Sequence, residues 1–147
     1  GVQIDLIVRG ACILPVNDND KNGNIRVRSV IGRFLEHTRV FYFRSPSIDE
    51  LWLSSADFMS RNMLRRIELA WPLEDQNLKN RILEEGLGVY LKDTENAWQL
   101  ESDGRYRSLS EGDSLSAKNL NKRIAFDAHK ELMTRYGANN ITKLPAP

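Results

Sequence analysis

The sequence predicts an α/β fold, a mixed central sheet with flanking helices, built as one domain across residues 1–147. Three observations carry that expectation. Short β-branched and aromatic runs alternate with stretches of helical spacing. Gly, Pro, Asn and Asp gather between them. A content of 41% hydrophobic and 28% charged residues suits a single packed core.

Taken in order, Ile4-Asp5-Leu6-Ile7-Val8-Arg9 reads as a strand closed by Gly10, and Pro15 to Asn24 as a loop. From Ile25 to Leu35, apolar Val27, Val30, Ile31, Phe34 and Leu35 fall at the spacing of one helical face. Arg39-Val40-Phe41-Tyr42-Phe43 is a second strand, Ser45-Pro46-Ser47 a turn and Leu51-Trp52-Leu53 a third strand, so the first unit is βαβ. Open α/β sheets bind ligands at the carboxyl ends of their strands. Ser60-Arg61-Asn62 sits in a loop, and the strand from Arg66 to Trp71 is stopped by Pro72. Asp75 caps a helix reaching Leu91, with Leu78, Ile82, Leu83 and Leu87 on its buried side and Gly86 and Gly88 weakening its end. A hairpin over residues 97–108 turns at Asp103-Gly104. Leu120, Ile124, Ala128, Leu132 and Tyr136 mark a last helix, capped by Ser116 and stopped by Gly137. Phe34, Phe41 and Phe43 read as buried, and Trp52, Trp71 and Trp98 as core or lid packing.

The net charge of +1 creates no global field that favours a membrane surface or bulk nucleic acid. Its distribution is uneven. Residues 1–66 carry nine Arg and one Lys against seven acids, net +3, whereas residues 67–147 carry eleven bases against thirteen acids, net −2. Arginine grips phosphate or carboxylate with a planar fork, so an arginine-rich half points to anion handling. The lone Cys12 has no disulfide partner and reads as a small hydrophobe. With no apolar run of ~18 residues and no signal-like start, a cytoplasmic location is expected, with peripheral membrane attachment as the alternative. The abrupt opening reads as a fragment of a longer chain.

The densest candidate site is Gly32-Arg33-Phe34-Leu35-Glu36-His37-Thr38-Arg39, where His37 and Arg39, two apart, project together if strand geometry has begun. An imidazole beside a permanent cation suits phosphoryl chemistry; alone, such a histidine would simply end a helix, where it complements the macrodipole. Small hydroxyls in Ser54-Ser55-Ala56-Asp57, then Arg61, Arg65 and Arg66, strengthen the phosphate reading. Arg9 closes the first strand beside Gly10, which permits close backbone approach. Arg26, Arg28 and Arg33 read equally as a solvated helix face, and His129, beside Lys130, as surface decoration. No Walker loop, GxGxxG or metal-ligand spacing is present in the sequence, so no metal site is assigned to this chain.

The order His-x-basic, strand, Ser-Ser-x-polar is similar to one half of the phospholipase D pattern, with Arg39 where that pattern has lysine and no Asp five residues beyond it. More specifically, residues 4–12, Asn24-Ile25-Arg26-Val27-Arg28-Ser29, Gly32-Arg33-Phe34-Leu35-Glu36-His37 and Leu53 to Asn62 resemble the C-terminal domain of bacterial polyphosphate kinase. The resemblance implies a phospholipase D-like half and an enzyme that reversibly transfers the terminal phosphate of ATP to inorganic polyphosphate through a phosphohistidine, with Mg²⁺. It also implies that the phosphorylated histidine and the metal ligands lie in the preceding domain, that ATP, ADP and polyphosphate are the ligands, and that the full-length chain is a homo-oligomer. Carried over residue by residue, it makes Arg9, His37 and Arg66 nucleotide- and phosphate-contacting; the residue pattern itself adds His37 as the catalytic group and Arg39 and Arg61 as further phosphate contacts. The isolated fragment is then expected to be inactive. The competing readings are a non-catalytic module binding RNA or polyphosphate and a phosphodiesterase-like half-site; nucleic-acid binding is disfavoured by the aromatic residues expected to be buried.

Overall fold

A computed structural model describes residues 1–10, 12–16, 24–110 and 125–137. They fall into two compact units, one from Gly1–Leu35 with Val89–Pro147 and the other from Glu36–Gly88.

The first unit holds a four-stranded sheet. Strand β1 (Ile4–Ile7) pairs in parallel with β2 (Ile25–Val30), with Ile4 opposite Ile25 and Ile7 opposite Arg28. Strands β6 (Ala97–Leu100) and β7 (Tyr106–Ser108) continue the order as β1-β2-β6-β7, both joining antiparallel. The predicted mixed sheet is therefore present, and the hairpin turns at Asp103-Gly104 as expected, with Gly104 at φ +83° where a side chain would be strained. The core of this unit gathers Val30, Val89, Tyr90, Ala97 and Ala128, with Ile7, Leu109, Phe126 and Leu132 packed against it.

The helix expected over 25–35 is corrected to strand β2. Val27 and Ser29 are buried while Arg26 is exposed, a period of two. The residues that completed the helical pattern, Ile31, Phe34 and Leu35, are 65%, 52% and 80% exposed, so no apolar helical face exists to bury. Arg26 instead pairs with Asp5 on the neighbouring strand at 2.7 Å. Arg28 donates from Nη1 to the carbonyls of Tyr90, at 3.3 Å, and Leu91, at 2.6 Å, satisfying a helix end. Burial pulls its pKa below the ordinary arginine value, and the nearby Asp5 opposes that shift.

The second unit is built on an antiparallel sheet, β3 (Val40–Ser45), β4 (Ile48–Ser54) and β5 (Ala70–Pro72), in that order. The βαβ reading of the first unit is thus replaced by a parallel strand pair in one unit and a β3–β4 hairpin in the other, with Val40 opposite Leu53 and Ser45 opposite Ile48. The turn predicted at Ser45-Pro46-Ser47 closes that hairpin. Ser60-Arg61-Asn62, expected in a loop, opens a short helix α1 (Ser60–Arg65), and the strand expected from Arg66 shortens to three residues that include Pro72. Proline is tolerated there, since β5 is an edge strand.

The helix capped by Asp75 is present. Its carboxylate accepts from Leu78 N at 2.8 Å, and the run proceeds through α2 (Gln76–Ile82), a π-helical stretch Leu83–Gly88 and α3 (Val89–Lys92). The widened turns coincide with Gly86 and Gly88, whose weak helical preference the sequence had marked. Leu78, expected inside, is 48% exposed.

The last helix, α4, spans Ala128–Tyr136 and is capped by Asp127, which accepts from Lys130 N at 3.0 Å; the expected cap Ser116, with Leu120 and Ile124, lies outside the described residues. Gly137 ends α4, as expected. Asp93, 1% exposed, accepts from Asn96 N at 2.7 Å and from Ala128 N at 2.8 Å, fastening the loop after α3 to the start of α4. A carboxylate at that end is favoured by the helix dipole.

His129 is corrected from surface decoration to core. It is 2% exposed, stacks edge-on against Phe34 and Tyr90 at ring-centroid distances of 5.4 and 6.0 Å, and accepts at Nδ1 from Phe34 N at 3.3 Å. Two of the aromatics expected to be buried need correction, since Phe34 and Phe43 are 52% and 54% exposed; of the tryptophans read as core or lid packing, Trp71 and Trp98 are 45% and 36% exposed.

Candidate functional site

The site grows from the hairpin of the second unit. Ser54 N donates to Arg39 O at 3.1 Å, extending the β3–β4 ladder one residue past Val40 and fixing the Arg39 backbone beside the end of β4. Three residues further on stands Asp57. Arg39 Nε and Nη2 both donate to Asp57 Oδ1, at 3.0 and 2.8 Å, and the two side chains are only 17% and 22% exposed. The guanidinium is thereby anchored from behind.

Its other edge faces His37. Arg39 Nη1 lies 3.2 Å from His37 Nδ1, and Nη2 lies 3.0 Å from Nε2. The same-side projection expected from the two-residue spacing is therefore present, although regular strand structure begins only at Val40. A neutral imidazole has one acceptor and one donor nitrogen, so Arg39 donates to only one of the two, and which one depends on the tautomer. His37 itself is exposed. The result is a braced cation behind a presented imidazole.

Asp57 is the residue whose role the sequence reading missed. In the sequence it stands only as the end of the polar run Ser54 to Asp57; the hairpin register that places Arg39 beside Ser54 is the signal that brings it near Arg39.

Ser54 and Ser55 act differently from the expectation that their hydroxyls serve phosphate. Ser54 Oγ donates to Leu69 O at 3.1 Å and accepts from Ala56 N at 3.0 Å. Ser55 Oγ donates to Glu68 Oε2 at 2.5 Å and accepts from Leu69 N at 3.0 Å. Each hydroxyl has one proton, and both protons are committed within the fold. Glu68 also accepts from Nδ2 of Asn62, which is 4% exposed, at 2.9 Å, tying α1 to the end of β4.

Two further arginines of this unit, Arg61 and Arg66, lie close to that tie in the chain. Arg61 Nε donates to Asn62 Oδ1 at 3.3 Å. Arg66 caps the C-terminal end of α1 in an extended conformation and is exposed. Arg9 belongs to the other unit, two residues past the end of β1, where Val8 N donates to Arg28 O at 2.8 Å; Gly10 follows at φ +86°. Both are exposed at strand or helix ends.

Among the described residues, no group of three or more His, Cys, Asp and Glu side chains is arranged to hold a metal ion. The described residues thus do not form a Mg²⁺ site. No helix among them is long and apolar enough to cross a membrane.

These features define an α/β module that presents an arginine-braced imidazole at the edge of an antiparallel hairpin. Residues 1–125 match the family described as "Polyphosphate kinase C-terminal domain 2". Polyphosphate kinase from Burkholderia lata is 49% identical over 115 residues, 78% of this chain and 17% of that protein. The enzyme from Paraburkholderia phytofirmans is also 49% identical, over 114 residues, with the same coverage of 78% and 17%. The crystal structure of polyphosphate kinase from Porphyromonas gingivalis aligns with 96% of this chain and 20% of its own at a TM-score of 0.76 and 32% identity. The chain belongs to the polyphosphate kinase family. It spans about a fifth or less of the length of these relatives.

Proposed function

We propose that this domain, as one part of a longer multidomain chain, contributes nucleotide- and phosphate-binding residues to reversible transfer of the terminal phosphate of ATP onto inorganic polyphosphate. The observation that carries the reading is Arg39, held by Asp57 and facing both ring nitrogens of His37, in a chain of this family. Phosphoryl transfer asks a protein mainly for positioning and for positive charge near the transferred group. His37 donates a hydrogen bond or proton to a phosphate oxygen while Arg39 supports its ring. Arg9, Arg66 and Arg61 supply further charge to nucleotide and polymer phosphates. The phosphorylated histidine and Mg²⁺, which the resemblance implies, belong to the remainder of the longer chain, as do its oligomer contacts, and the enzyme works in the cytoplasm.

The test is His37→Ala in the full-length enzyme, for which kcat should fall by about 10²-fold or more, the usual contribution of a positioned acid or base. Near-normal turnover would remove His37 from the chemistry. Arg9→Ala and Arg66→Ala should raise KM for ATP; an unchanged KM withdraws either residue. The 147-residue chain alone should show no turnover.

A second reading, retention of single-stranded nucleic acid, gains from one observation. Phe34 is 52% exposed, with the Arg33 guanidinium 5.8 Å from its ring centre. Exposed rings next to cations are stacking platforms for bases. Salt-sensitive binding of an oligonucleotide, lost in Phe34→Ala, would favour this reading; no retention at low salt dismisses it.

A further inference from the structure

At the turn end of the β3–β4 hairpin, the second unit contains a hollow of about 650 Å³ outside the His37 cluster. The two lie at opposite ends of a hairpin whose strand β3 has six residues, roughly 20 Å at ~3.3 Å per residue. Tyr42, Arg44, Ser45, Asp49 and Asn80 line the hollow with polar groups.

The donors and acceptors of these groups are unevenly committed. Asp49 is the only carboxylate on the lining, and both its oxygens are engaged: Tyr42 Oη donates to Oδ1 at 2.8 Å and Lys79 Nζ donates to Oδ2 at 2.7 Å. Lys79 also donates to the Asp49 carbonyl, and its side chain is 7% exposed, so it neutralises Asp49 from beneath. Asn80 accepts at Oδ1 from Gln76 Nε2 at 2.9 Å, which leaves its Nδ2 protons for a ligand. Ser45 Oγ accepts from Ser47 N at 3.3 Å, leaving its proton available to a ligand or to Ser47 Oγ, 3.5 Å away. Arg44, opposite Asp49 in the strand register and exposed, brings five further N–H donors. Donors therefore outnumber acceptors, and with Asp49 offset by Lys79 the charge left over is that of Arg44.

A site with spare donors, a net positive charge and a committed carboxylate fits a ligand made of acceptors alone. We propose that this hollow is a second anion site of the domain, binding the phosphate groups of a linear inorganic oligophosphate through Arg44, Asn80 and Ser45. Pro46 and Leu83 form its apolar walls. Arginine provides the planar fork that matches phosphate oxygens, and the amide and hydroxyl protons fix its orientation. The proposal rests on this donor inventory and not on the catalytic reading above, so the two can fail separately.

The experiment is calorimetric titration of the full-length protein with inorganic tripolyphosphate, and in parallel with orthophosphate and ADP, at low salt. Tripolyphosphate should fill two classes of site in the natural protein. Arg44→Gln should abolish one class or weaken it at least tenfold, while His37→Ala leaves that class intact. Asn80→Asp, which places a negative charge on an exposed side chain, should weaken the same class with an unchanged melting temperature. Identical isotherms for the natural protein, Arg44→Gln and Asn80→Asp would overturn the proposal. So would ADP or orthophosphate occupying the Arg44-dependent class at lower concentration than tripolyphosphate, since the site would then serve a nucleotide or a free ion. A variant with a lowered melting temperature is replaced by Arg44→Lys, which keeps the charge but loses the fork and should still weaken the class; an isotherm identical to that of the natural protein overturns the proposal.

Discussion

Arg39 reaches Asp57 with two nitrogens, at 3.0 and 2.8 Å, while its Nη atoms stand 3.0 and 3.2 Å from the two ring nitrogens of His37. A single guanidinium thus couples a partly buried carboxylate to an exposed imidazole, and the orientation of the imidazole depends on the carboxylate.

Asp57→Asn should release that coupling. The pair is mostly shielded from solvent, so the lost charge-assisted hydrogen bonds should cost roughly 1–2 kcal/mol of stability in a denaturant titration. In the full-length enzyme the same change should lower kcat about tenfold, equal to ~1.4 kcal/mol of barrier, with a smaller effect on KM. A variant that loses stability but keeps kcat would show that Asp57 supports the hairpin alone.

This relationship also shows how much the sequence could reveal. The His37–Arg39 pair was legible because a two-residue spacing fixes a shared side wherever backbone is extended, and the contact is local. Asp57 was harder to read, because it lies beyond the end of β4 and meets Arg39 only once the hairpin register, set by the turn after Ser45, is known. The misread helix at 25–35 has a different origin. Val27, Val30, Ile31, Phe34 and Leu35 satisfy helical spacing, but the alternation Ile25, Val27, Ser29 satisfies strand spacing too, and pairing with β1 and β6 decides between them. His129 was misjudged by composition: Lys130 next to it is exposed, yet one helical step turns His129 to the core against Phe34 and Tyr90. Asp75, Gly86, Gly88 and the Asp103-Gly104 turn were read well because caps, weak helix formers and tight turns are governed by neighbours along the chain.

Tyr42 should titrate above the ordinary tyrosine range. Its hydroxyl donates to Asp49, so losing the proton breaks that bond, and the adjacent carboxylate opposes the new charge. Asp49 shifts the other way, held below the usual carboxylate range by hydrogen bonds from Lys79 and then Tyr42. The two linkages have opposite signs. The Asp49 contribution is present above about pH 4, near the unfolded Asp value, and is lost as pH falls through the lower folded value. The Tyr42 contribution is present below about pH 10 and is lost as pH rises through the higher folded value. Spectrophotometric titration at alkaline pH should show Tyr42 shifted upward, and Asp49→Asn should bring it back toward the ordinary range. An unmoved transition in Asp49→Asn contradicts this account.

The start of α4 offers a separation of capping from charge. Asp127 is held below the usual carboxylate range chiefly by the backbone N–H of Lys130, with a further hydrogen bond from Asn96. Asp127→Ala should cost about 1 kcal/mol by removing the cap, whereas Asp127→Asn keeps an acceptor and should cost less at neutral pH. Because the folded value is depressed, the aspartate contribution fades as pH falls through it, and Asp127→Asn should lose less stability than the natural protein on going from pH 5 to pH 2. Parallel pH profiles for the two proteins would exclude the charge as the source.

Two glycines should respond oppositely to alanine. A Cβ on Gly32 would lie 2.4 Å from His129 Nδ1 and 2.9 Å from its Cε1, and that buried ring already packs against Phe34 and Tyr90. Gly32→Ala should therefore destabilise by about 1–3 kcal/mol, the usual cost of overpacking. A Cβ on Gly86 meets only Ile82 Cγ2 at 3.4 Å, an ordinary contact, within a helical run where glycine is unfavourable. Gly86→Ala should stabilise by roughly 0.5–1 kcal/mol, as a helix-interior glycine costs about that much relative to alanine. Thermal unfolding of both variants separates the effects, because the first acts through a side-chain collision and the second through backbone entropy. If Gly32→Ala melted with the natural protein, His129 would have to move freely, and its packing against Phe34 could not hold that segment in place.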